Sequence, residues 1–177
     1  MIYETTKQAL LKLFPETDAE PELVESSGEG EETEEKEAVE EKARANGVLE
    51  RDYAVHGYHL DAQVAAEQLL EAVRIVDQAE FFIESITGVD WIKEDQFEVI
   101  YDFSRYDFEV CRVVIRTRIP RSDPKVPTIT EIFDGANWHE RETAEFFGID
   151  FVGHPNLIPL LLPEDADFHP LRKDFKA

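Results

Sequence analysis

Two neighbouring stretches, QFEVIYDF at residues 96–103 and EVCRVVIRTRI at residues 109–119, decide the fold of this chain. Each alternates apolar and polar side chains with a period of two, which is the pattern of a β-strand with one buried face. The short link Ser104–Phe108 predicts an antiparallel hairpin. The polar face carries Glu98 and Asp102 on the first strand and arginines at positions 112, 116 and 118 on the second. We expect these acids and arginines to be cross-strand neighbours, so the arginine stripe is better explained by sheet electrostatics than by an anion site.

The segments before this hairpin predict two helices and two strands. A short amphipathic helix covers Tyr3–Phe14, and Pro15 ends it. Val48–Tyr58 predicts a strand. Asp61 is then expected to cap a helix whose apolar residues recur at helical spacing, at Ala66, Leu69, Leu70, Val73 and Val76. Phe81–Trp91 predicts a second strand, which ends in a turn region over residues 87–91.

The segments after the hairpin predict one long helix and a short strand. Prolines at positions 120, 124 and 127 mark a crossing loop. Thr128 and Glu131 have the spacing of a capping box, which predicts a helix from there through Phe147, with Gly148 as its C-terminal residue. Ile149–Val152 favours a short strand or an extended stretch.

These elements predict an α+β fold, a single domain with a mixed sheet flanked by helices. The expected organisation is an N-terminal helix over residues 1–15, an acidic low-complexity linker over 16–46, the α+β domain over 47–152 and an extended tail over 153–177. Residues 16–45 contain 13 acidic residues against 3 basic ones and no aromatic side chain, so this segment is expected to be a disordered or loosely helical insertion. Its composition favours a solvated linker, and an acidic interaction tract is the alternative.

The bulk composition excludes several classes of function. A net charge of −22 argues against nucleic acid, whose phosphates require a basic face. No apolar run is long enough to cross a membrane. Cys111 is the single cysteine, which excludes a disulfide framework and any cysteine-based metal or iron–sulfur site made by this chain alone. It alternates onto the apolar face of its strand and is expected in the core.

The histidines offer no metal or catalytic motif. His56 and His59 are three apart on the expected strand, so they point to opposite faces. His139-Glu140 resembles the start of a zinc-protease helix, but position 143 is a threonine. His154 and His169 each precede a proline in turn-like sequence, where hydrogen-bonded structural histidines are the favoured interpretation.

Glu140 shares an apolar helical stripe with residues 133, 136, 143, 144 and 147 of the last helix. A carboxylate there requires a cationic or N–H partner, and the basic Arg172-Lys173 segment or a loop is the favoured one. The alternative interpretation makes Glu140 or Glu142 the acid or base of a free-standing soluble enzyme. No second reactive group accompanies them, so the structural role is favoured.

The C-terminal stretch FVGHPNLIPLLLPEDADFHPLRKDF, residues 151–175, is punctuated by glycine and prolines, partly apolar and basic near its end. Such a tail has little of itself to pack against. It predicts a protein that completes its structure on a partner rather than one that holds a substrate.

With these residues the chain resembles the C subunit of the proton-pumping NADH:quinone oxidoreductase, respiratory complex I. This family has homologues in membrane-bound hydrogenases and in related ferredoxin- or F(420)-linked complexes. The resemblance covers about residues 48–177. It is carried by Asn137-Trp138, Glu140-Arg141-Glu142, Phe146-Phe147-Gly148-Ile149, Phe151 with Gly153-His154-Pro155 and Leu157, and His169-Pro170-Leu171-Arg172-Lys173-Asp174.

The resemblance implies a protein without a cofactor of its own, whose complex carries iron–sulfur clusters and the electron donor and acceptor sites in partner subunits. It implies a place in the peripheral arm on the cytoplasmic side of the membrane, beside the large hydrogenase-like D subunit and the iron–sulfur subunits, with membrane contact only through the complex. It also implies partner-interface or structural roles for Glu140, Arg141, Glu142, His154, Pro155, Leu157, His169, Pro170, Leu171, Arg172, Lys173 and Phe175.

This chain departs from the family pattern at two places. The family usually has basic residues just after the His-Pro turn, where this chain has Ile158 and Pro159, and an aspartate where this chain has Glu145. The resemblance therefore leaves the member complex open, including a membrane-bound hydrogenase.

Overall fold

The computed structural model describes residues 2–14, 45–106 and 110–176. Its centre is a five-stranded sheet in the order β1-β2-β5-β4-β3. The strands are β1 (Gly47–Glu50), β2 (Leu60–Val64), β3 (Phe82–Trp91), β4 (Gln96–Arg105) and β5 (Cys111–Pro120). β2 and β5 pair in parallel and the other three pairs are antiparallel, so the sheet is mixed, as predicted.

Four helices and a second, two-stranded sheet complete the fold. The helices are α1 (Ile2–Leu11), α2 (Tyr53–His56), α3 (Leu69–Gln78) and α4 (Ala136–Phe147). β6 (Lys125–Pro127) pairs in parallel with β7 (Asp150–Val152), which confirms the short strand predicted after Gly148. One hydrophobic core joins α1, α3, α4, β7 and the inward face of the large sheet. The predicted α+β class and the single domain are therefore confirmed.

The predicted hairpin is the pair β4–β5. Tyr101 lies across from Ile115, and both side chains are fully buried on the inward face, as is Cys111 to within a few per cent. On the outer face, Glu98 lies directly opposite Arg118, and its carboxylate is 3.0 Å from the guanidinium Nε. The arginine stripe therefore forms ion pairs within the sheet, with Glu98 as predicted, whereas Asp102 accepts a hydrogen bond from the Ser85 hydroxyl at 2.9 Å.

Two predictions ahead of α3 are wrong, although α3 itself is confirmed. The expected strand Val48–Tyr58 is β1 followed by α2, because the Asp52 carboxylate accepts a hydrogen bond from the Ala54 N–H at 2.9 Å and starts a helical turn. Asp61 does not cap a helix. It lies in β2, where its buried carboxylate accepts a hydrogen bond from Arg116 Nε at 3.0 Å.

The predicted strand at 81–91 is confirmed as β3, but its last five residues do not form a turn. They continue the ladder with β4 as far as Trp91, which lies opposite Gln96. The reversal is a 3₁₀ turn over Ile92–Glu94, and Asp95 follows it in the left-handed conformation.

The predicted capping box at Thr128 and Glu131 is not formed. Residues 128–135 make a series of turns, and α4 begins only at Ala136. The Thr128 hydroxyl instead donates to the carboxylate of Glu140, one helix turn inside α4, and accepts a hydrogen bond from the Thr130 N–H at 3.2 Å.

Two further sequence expectations concern the acidic linker and the possibility of a membrane-spanning helix. Most of the acidic linker predicted over residues 16–46 lies outside the described residues. Within the described ranges, no helix combines the length and the apolar character that crossing a membrane requires.

α4 packs closely against β3 at Gly88. A Cβ atom at this position would lie 2.6 Å from Phe147 Cδ2 and 3.1 Å from Thr143 Cγ2. Thr143 also donates a hydrogen bond to the Ile86 carbonyl at 3.3 Å. The missing side chain at Gly88 therefore sets the distance between the last helix and the sheet.

We expect Gly88→Ala to destabilise the domain by about 1–3 kcal/mol, because the added methyl group must push the Phe147 ring out of its place in the core. The shift of the denaturant midpoint in chemical unfolding measures this effect. Gly135→Ala is the matched control, since its Cβ would lie 3.5 Å from Ile83 and its φ of −61° suits any residue. It should change the stability by no more than about 0.5 kcal/mol. Equal midpoints for the two variants would show that α4 can shift at no cost.

Candidate functional site

α4 joins the core of the domain to the C-terminal segment, residues 153–176. It ends at Gly148, as predicted, with φ of 72° and an N–H that donates to the Ala144 carbonyl at 2.7 Å. The helix is unusual in the charged side chains that it buries, which are Glu140, Arg141 and Glu145. Buried charges are costly unless hydrogen bonds satisfy them, so their partners reveal how the site is built.

Glu140 is fully buried and receives two hydrogen bonds from the turn before α4. Its Oε1 accepts from the Ile129 N–H at 2.8 Å, and its Oε2 accepts from the Thr128 hydroxyl. Burial raises the pKa of Glu140 to about 7, and these two donors only partly oppose that rise. Burial raises the pKa of Tyr101, and the nearby charge of Glu140 adds to that rise.

His154 closes the other side of this buried cluster. Its Nδ1 accepts a hydrogen bond from the Asn156 N–H at 3.0 Å, so the proton of the neutral ring belongs on Nε2, which faces the Asn137 carbonyl at 3.3 Å. Burial, followed by the charge of Arg141, lowers the pKa of His154. Its Nε2 is 4.0 Å from Glu140 Oε2. The expected hydrogen-bonded turn histidine is confirmed here.

Of the two partners favoured for Glu140, the loop is confirmed and the basic end of the tail is wrong. The N–H donor that the sequence required comes from Ile129 in the preceding turn. Arg172 instead donates from Nε to the Phe147 carbonyl at 2.6 Å, and the Lys173 N–H donates to Asp90 at 2.9 Å.

Arg141 and Glu145, one helical turn apart, hold residues 158–162 by their backbone. Arg141 donates from Nε to the Ile158 carbonyl at 2.9 Å and from Nη2 to the Pro159 carbonyl at 3.1 Å. The Glu145 carboxylate accepts from the backbone N–H groups of residues 160, 161 and 162 at 2.8 to 3.1 Å. We call this arrangement the backbone clamp.

The end of the C-terminal segment covers the last carbonyls of α4. The Leu171 N–H donates to the Phe146 carbonyl at 3.2 Å, and His169 Nδ1 donates to the Glu145 carbonyl at 2.8 Å. A Cβ at Gly148 would collide with the side chains of His169 and Arg172, so a residue without a side chain is required for this packing. The groups that usually remain unsatisfied at a helix C-terminus are therefore bound by the chain itself.

The expectation that the tail has little of its own domain to pack against is therefore wrong. Sequence patterns missed it because each of these contacts between α4 and the tail has a backbone group on at least one side, and backbone groups leave no signature in the sequence. The described tail, residues 153–176, contains no helix or strand beyond turns, as expected of an extended segment.

The predicted site residues fall into an inward and an outward group. Glu140, Arg141 and the His154 side chain are buried, and Leu157, His169, Pro170 and Arg172 are half-buried. Five are exposed, namely Glu142, Pro155, Leu171, Lys173 and Phe175. The partner-interface role of these residues stays a prediction.

Sequence reasoning overlooked three exposed apolar side chains beside this site. Trp138 of α4 is 59% exposed, Ile158 is 50% exposed and Leu161 is 64% exposed. Trp138 could have been found, because a tryptophan on the helix face away from the apolar stripe is an unusual choice unless something covers it.

The geometry does not assemble a reaction centre around the two carboxylates. Glu140 is sealed from solvent, and Glu142 lies on the exposed side of α4, four residues from Trp138. Within the described ranges, no group of three or more His, Cys, Asp or Glu side chains could hold a metal ion. What α4 and its tail offer is a rigid surface with apolar side chains.

The fold and this site define a class of small α+β domains in which the last helix fixes an extended C-terminal segment by hydrogen bonds to its backbone. A family model described as "Respiratory-chain NADH dehydrogenase, 30 Kd subunit" matches residues 62–177, and the chain belongs to this family. The match includes all of α4 and the C-terminal segment, together with β3, β4, β5 and the end of β2 in the large sheet.

Relatives come from several respiratory complexes. The chain is 40% identical over 120 residues to the C subunit of the NADH-quinone oxidoreductase of Roseiflexus castenholzii, covering 65% of this chain and 68% of the relative. It is 41% identical over 94 residues to the C subunit of the F(420)H(2) dehydrogenase of Methanosarcina mazei, covering 52% of this chain and 59% of that relative.

Two solved structures share the fold. A chain of the membrane-bound sulfane sulfur reductase, an archaeal respiratory membrane complex, superimposes with a TM-score of 0.60 at 30% identity, over 66% of this chain and 71% of that one. The trypsin-resistant fragment of Nqo5 superimposes with a TM-score of 0.55 at 28% identity, over 63% and 89%. The named relatives are thus subunits of multi-subunit respiratory complexes.

We expect the stability of the free subunit to fall as pH rises, because of Glu140. The folded-state pKa of about 7 lies above the ordinary value of 4.5, so the contribution is fully present below about pH 4.5 and is lost as pH rises through about 7. Relative to Glu140→Gln, the wild-type chain should lose about 3 kcal/mol of unfolding free energy between about pH 4.5 and pH 8. Chemical denaturation across this range measures the difference.

Glu142→Gln is the matched control for this measurement, because it lies exposed on the same helix and should show no such relative change. Glu140→Ala should be worse than Glu140→Gln at every pH, since it leaves the buried Ile129 N–H without its acceptor at a cost of about 1–3 kcal/mol. If the wild-type chain instead gained stability over Glu140→Gln as pH rose, the two donors would outweigh burial and the ionised form would be the favoured one.

Proposed function

We propose that the chain is a non-catalytic component of the peripheral arm of a complex-I-like membrane-bound oxidoreductase, where it braces the large hydrogenase-like D subunit near the electron-transfer chain. The single observation that carries this proposal is the C-terminal segment. Arg141 and Glu145, two buried charged side chains of α4, fix the backbone of this segment, while the side chains of Leu161 and Leu171 project into solvent. A domain that uses buried charges to hold a loop in place, and leaves the loop's leucines uncovered, is suited to present them to another protein.

The same proposal assigns the redox chemistry to partner subunits. Iron–sulfur clusters and the electron donor and acceptor sites belong to those subunits, and this chain contributes no cofactor ligand. Cys111, its single cysteine, is buried in the sheet beside Val113 and cannot offer its thiol to a cluster without unfolding β5. The protein then lies on the cytoplasmic side and meets the membrane through the complex.

The electron donor and acceptor distinguish the possible member complexes. Named relatives include subunits of NADH-quinone oxidoreductases, of an F(420)H(2) dehydrogenase and of a sulfane sulfur reductase. The same bracing role in a membrane-bound hydrogenase or another ferredoxin- or F(420)-linked complex is the alternative. Assaying the purified complex with NADH, reduced ferredoxin and reduced F(420) in turn decides between them.

Affinity purification of the tagged full-length chain from its own membranes tests the proposal. We expect the chain to bring down a large hydrogenase-like subunit and iron–sulfur subunits, identified by mass spectrometry. Iron should be present in the complex, while the chain released from it by mild denaturant should carry less than about 0.1 iron per chain, the level expected of a protein without cluster ligands. A chain that purifies alone and retains redox or hydrolytic activity lost in Glu142→Gln would overturn the proposal in favour of a free-standing enzyme.

A further inference from the structure

The backbone clamp leaves the side chains of the segment that it holds free for another task. All its hydrogen bonds go to carbonyl and N–H groups of residues 158–162, so they would form with almost any side chains there. Pro159 and Pro163 stiffen the segment on either side. Ile158 and Leu161, which are half and nearly two-thirds exposed, are thus fixed in position without being packed.

Arg141, one of the two clamp residues, also contacts Trp138. The Arg141 guanidinium lies over the Trp138 ring, 5.2 Å from its centroid, while it donates to the Ile158 and Pro159 carbonyls. Arg141 therefore ties the tryptophan of α4 to the clamped segment. We call Trp138, Ile158 and Leu161 the apolar platform.

Carboxylates flank the platform on both of its elements. Asp134 and Glu142 stand four residues on either side of Trp138, and Glu164 and Asp165 follow Leu161 closely; all four are exposed. Among the described residues, none of these four carboxylates lies within 4.0 Å of a cationic side chain. The nearby cation, Arg141, is buried against carbonyl groups and the indole, so it does not offset this negative rim at the surface.

We propose that the apolar platform is a pre-organised docking site for a partner protein of the complex whose contact surface has an apolar centre and a rim of Lys and Arg side chains. This inference rests on the proposed function and specifies which surface of the chain makes the contact and the chemistry of its partner. Fixed apolar anchors lower the entropy lost on binding, and the acidic rim supplies orientation and selects against acidic surfaces.

Truncating the platform in the full-length tagged chain tests its apolar part. Trp138→Ala and Leu161→Ser should each lower the amount of complex retained per chain by about tenfold or more, as expected for interface anchors. Val55→Ala is the matched control, because Val55 is 73% exposed on α2, in a part of the fold away from α4, and should retain the complex like the wild type. Melting temperatures of the free variants should stay within about 4 °C of the wild type, since Leu161→Ser removes an exposed side chain and Trp138→Ala removes a partly exposed ring and its contact with the Arg141 guanidinium.

Charge reversal tests the rim. The double variant Asp134→Lys/Glu142→Lys should retain at least about fivefold less complex at low salt, and its retention should no longer fall as salt is added, since screening removes the attraction only in the wild type. Glu71→Lys, an exposed acid on α3, is the control and should behave as the wild type. A photo-reactive phenylalanine at position 138 should cross-link to a partner peptide that contains Lys or Arg beside apolar residues.

The outcomes separate this inference from the function on which it rests. A wild-type chain that brings down no complex overturns the proposed function and this inference with it. A wild-type chain that brings down the complex, with platform and rim variants that retain as much of it at every salt concentration, overturns the platform alone. A cross-link to an acidic or uncharged peptide would also refute the basic-rimmed partner.

Discussion

The burial of three ionisable side chains on one helix is the constraint on which the rest of this structure depends. Glu140, Arg141 and Glu145 point into the domain or beneath its tail, where each would be strongly destabilising without partners. Their partners are almost entirely backbone groups, in the turn at residues 128–130 before the helix and in residues 158–162 after it. Neither segment contains a helix or strand that could position it. The buried charges therefore specify the course of the chain on both sides of α4.

The parts of the fold that follow from side-chain alternation could be predicted from the sequence. β4 and β5 follow a period-two pattern broken at Ile100, Val114 and Thr117, and their register and the Glu98–Arg118 ion pair agree with it. β2 shows the limit of this reasoning. Leu60, Ala62 and Val64 alternate with Asp61 and Gln63, yet five residues are too short to distinguish a strand from a helix cap when the first polar residue is an aspartate. The deciding contact, Arg116 above Asp61, comes from a strand 55 residues away.

The candidate site could be located from the sequence but not assembled from it. A carboxylate on the apolar stripe of α4 correctly indicated that Glu140 is buried and hydrogen-bonded. The sequence leaves two partners open, the basic end of the tail and a loop, because a cation is visible in a sequence and the backbone N–H of a particular loop is not. The backbone clamp was hidden for the same reason. In the sequence, Arg141 and Glu145 have the character of surface residues on an amphipathic helix. In the structure, residues 158–162 lie across them and bury them.

The use of arginine explains how an acidic chain presents an even more acidic surface. The arginines of β5 and of the following loop lie along the sheet and bind the carboxylates of Glu84, Asp61, Glu98 and Asp90. Arg141 of α4 turns inward and binds the Ile158 and Pro159 carbonyls, and Arg172 of the tail binds the Phe147 carbonyl. Each guanidinium offers up to five donors in a fixed plane, which suits it to bridging strands and binding carbonyls inside the domain. Much of the positive charge is thereby used in building the fold, although four exposed carboxylates, those of Glu50, Glu80, Asp123 and Asp174, do have cationic partners. A chain with a net charge of −22 built in this way attracts basic surfaces from a distance, and its exposed apolar side chains then decide where contact is made.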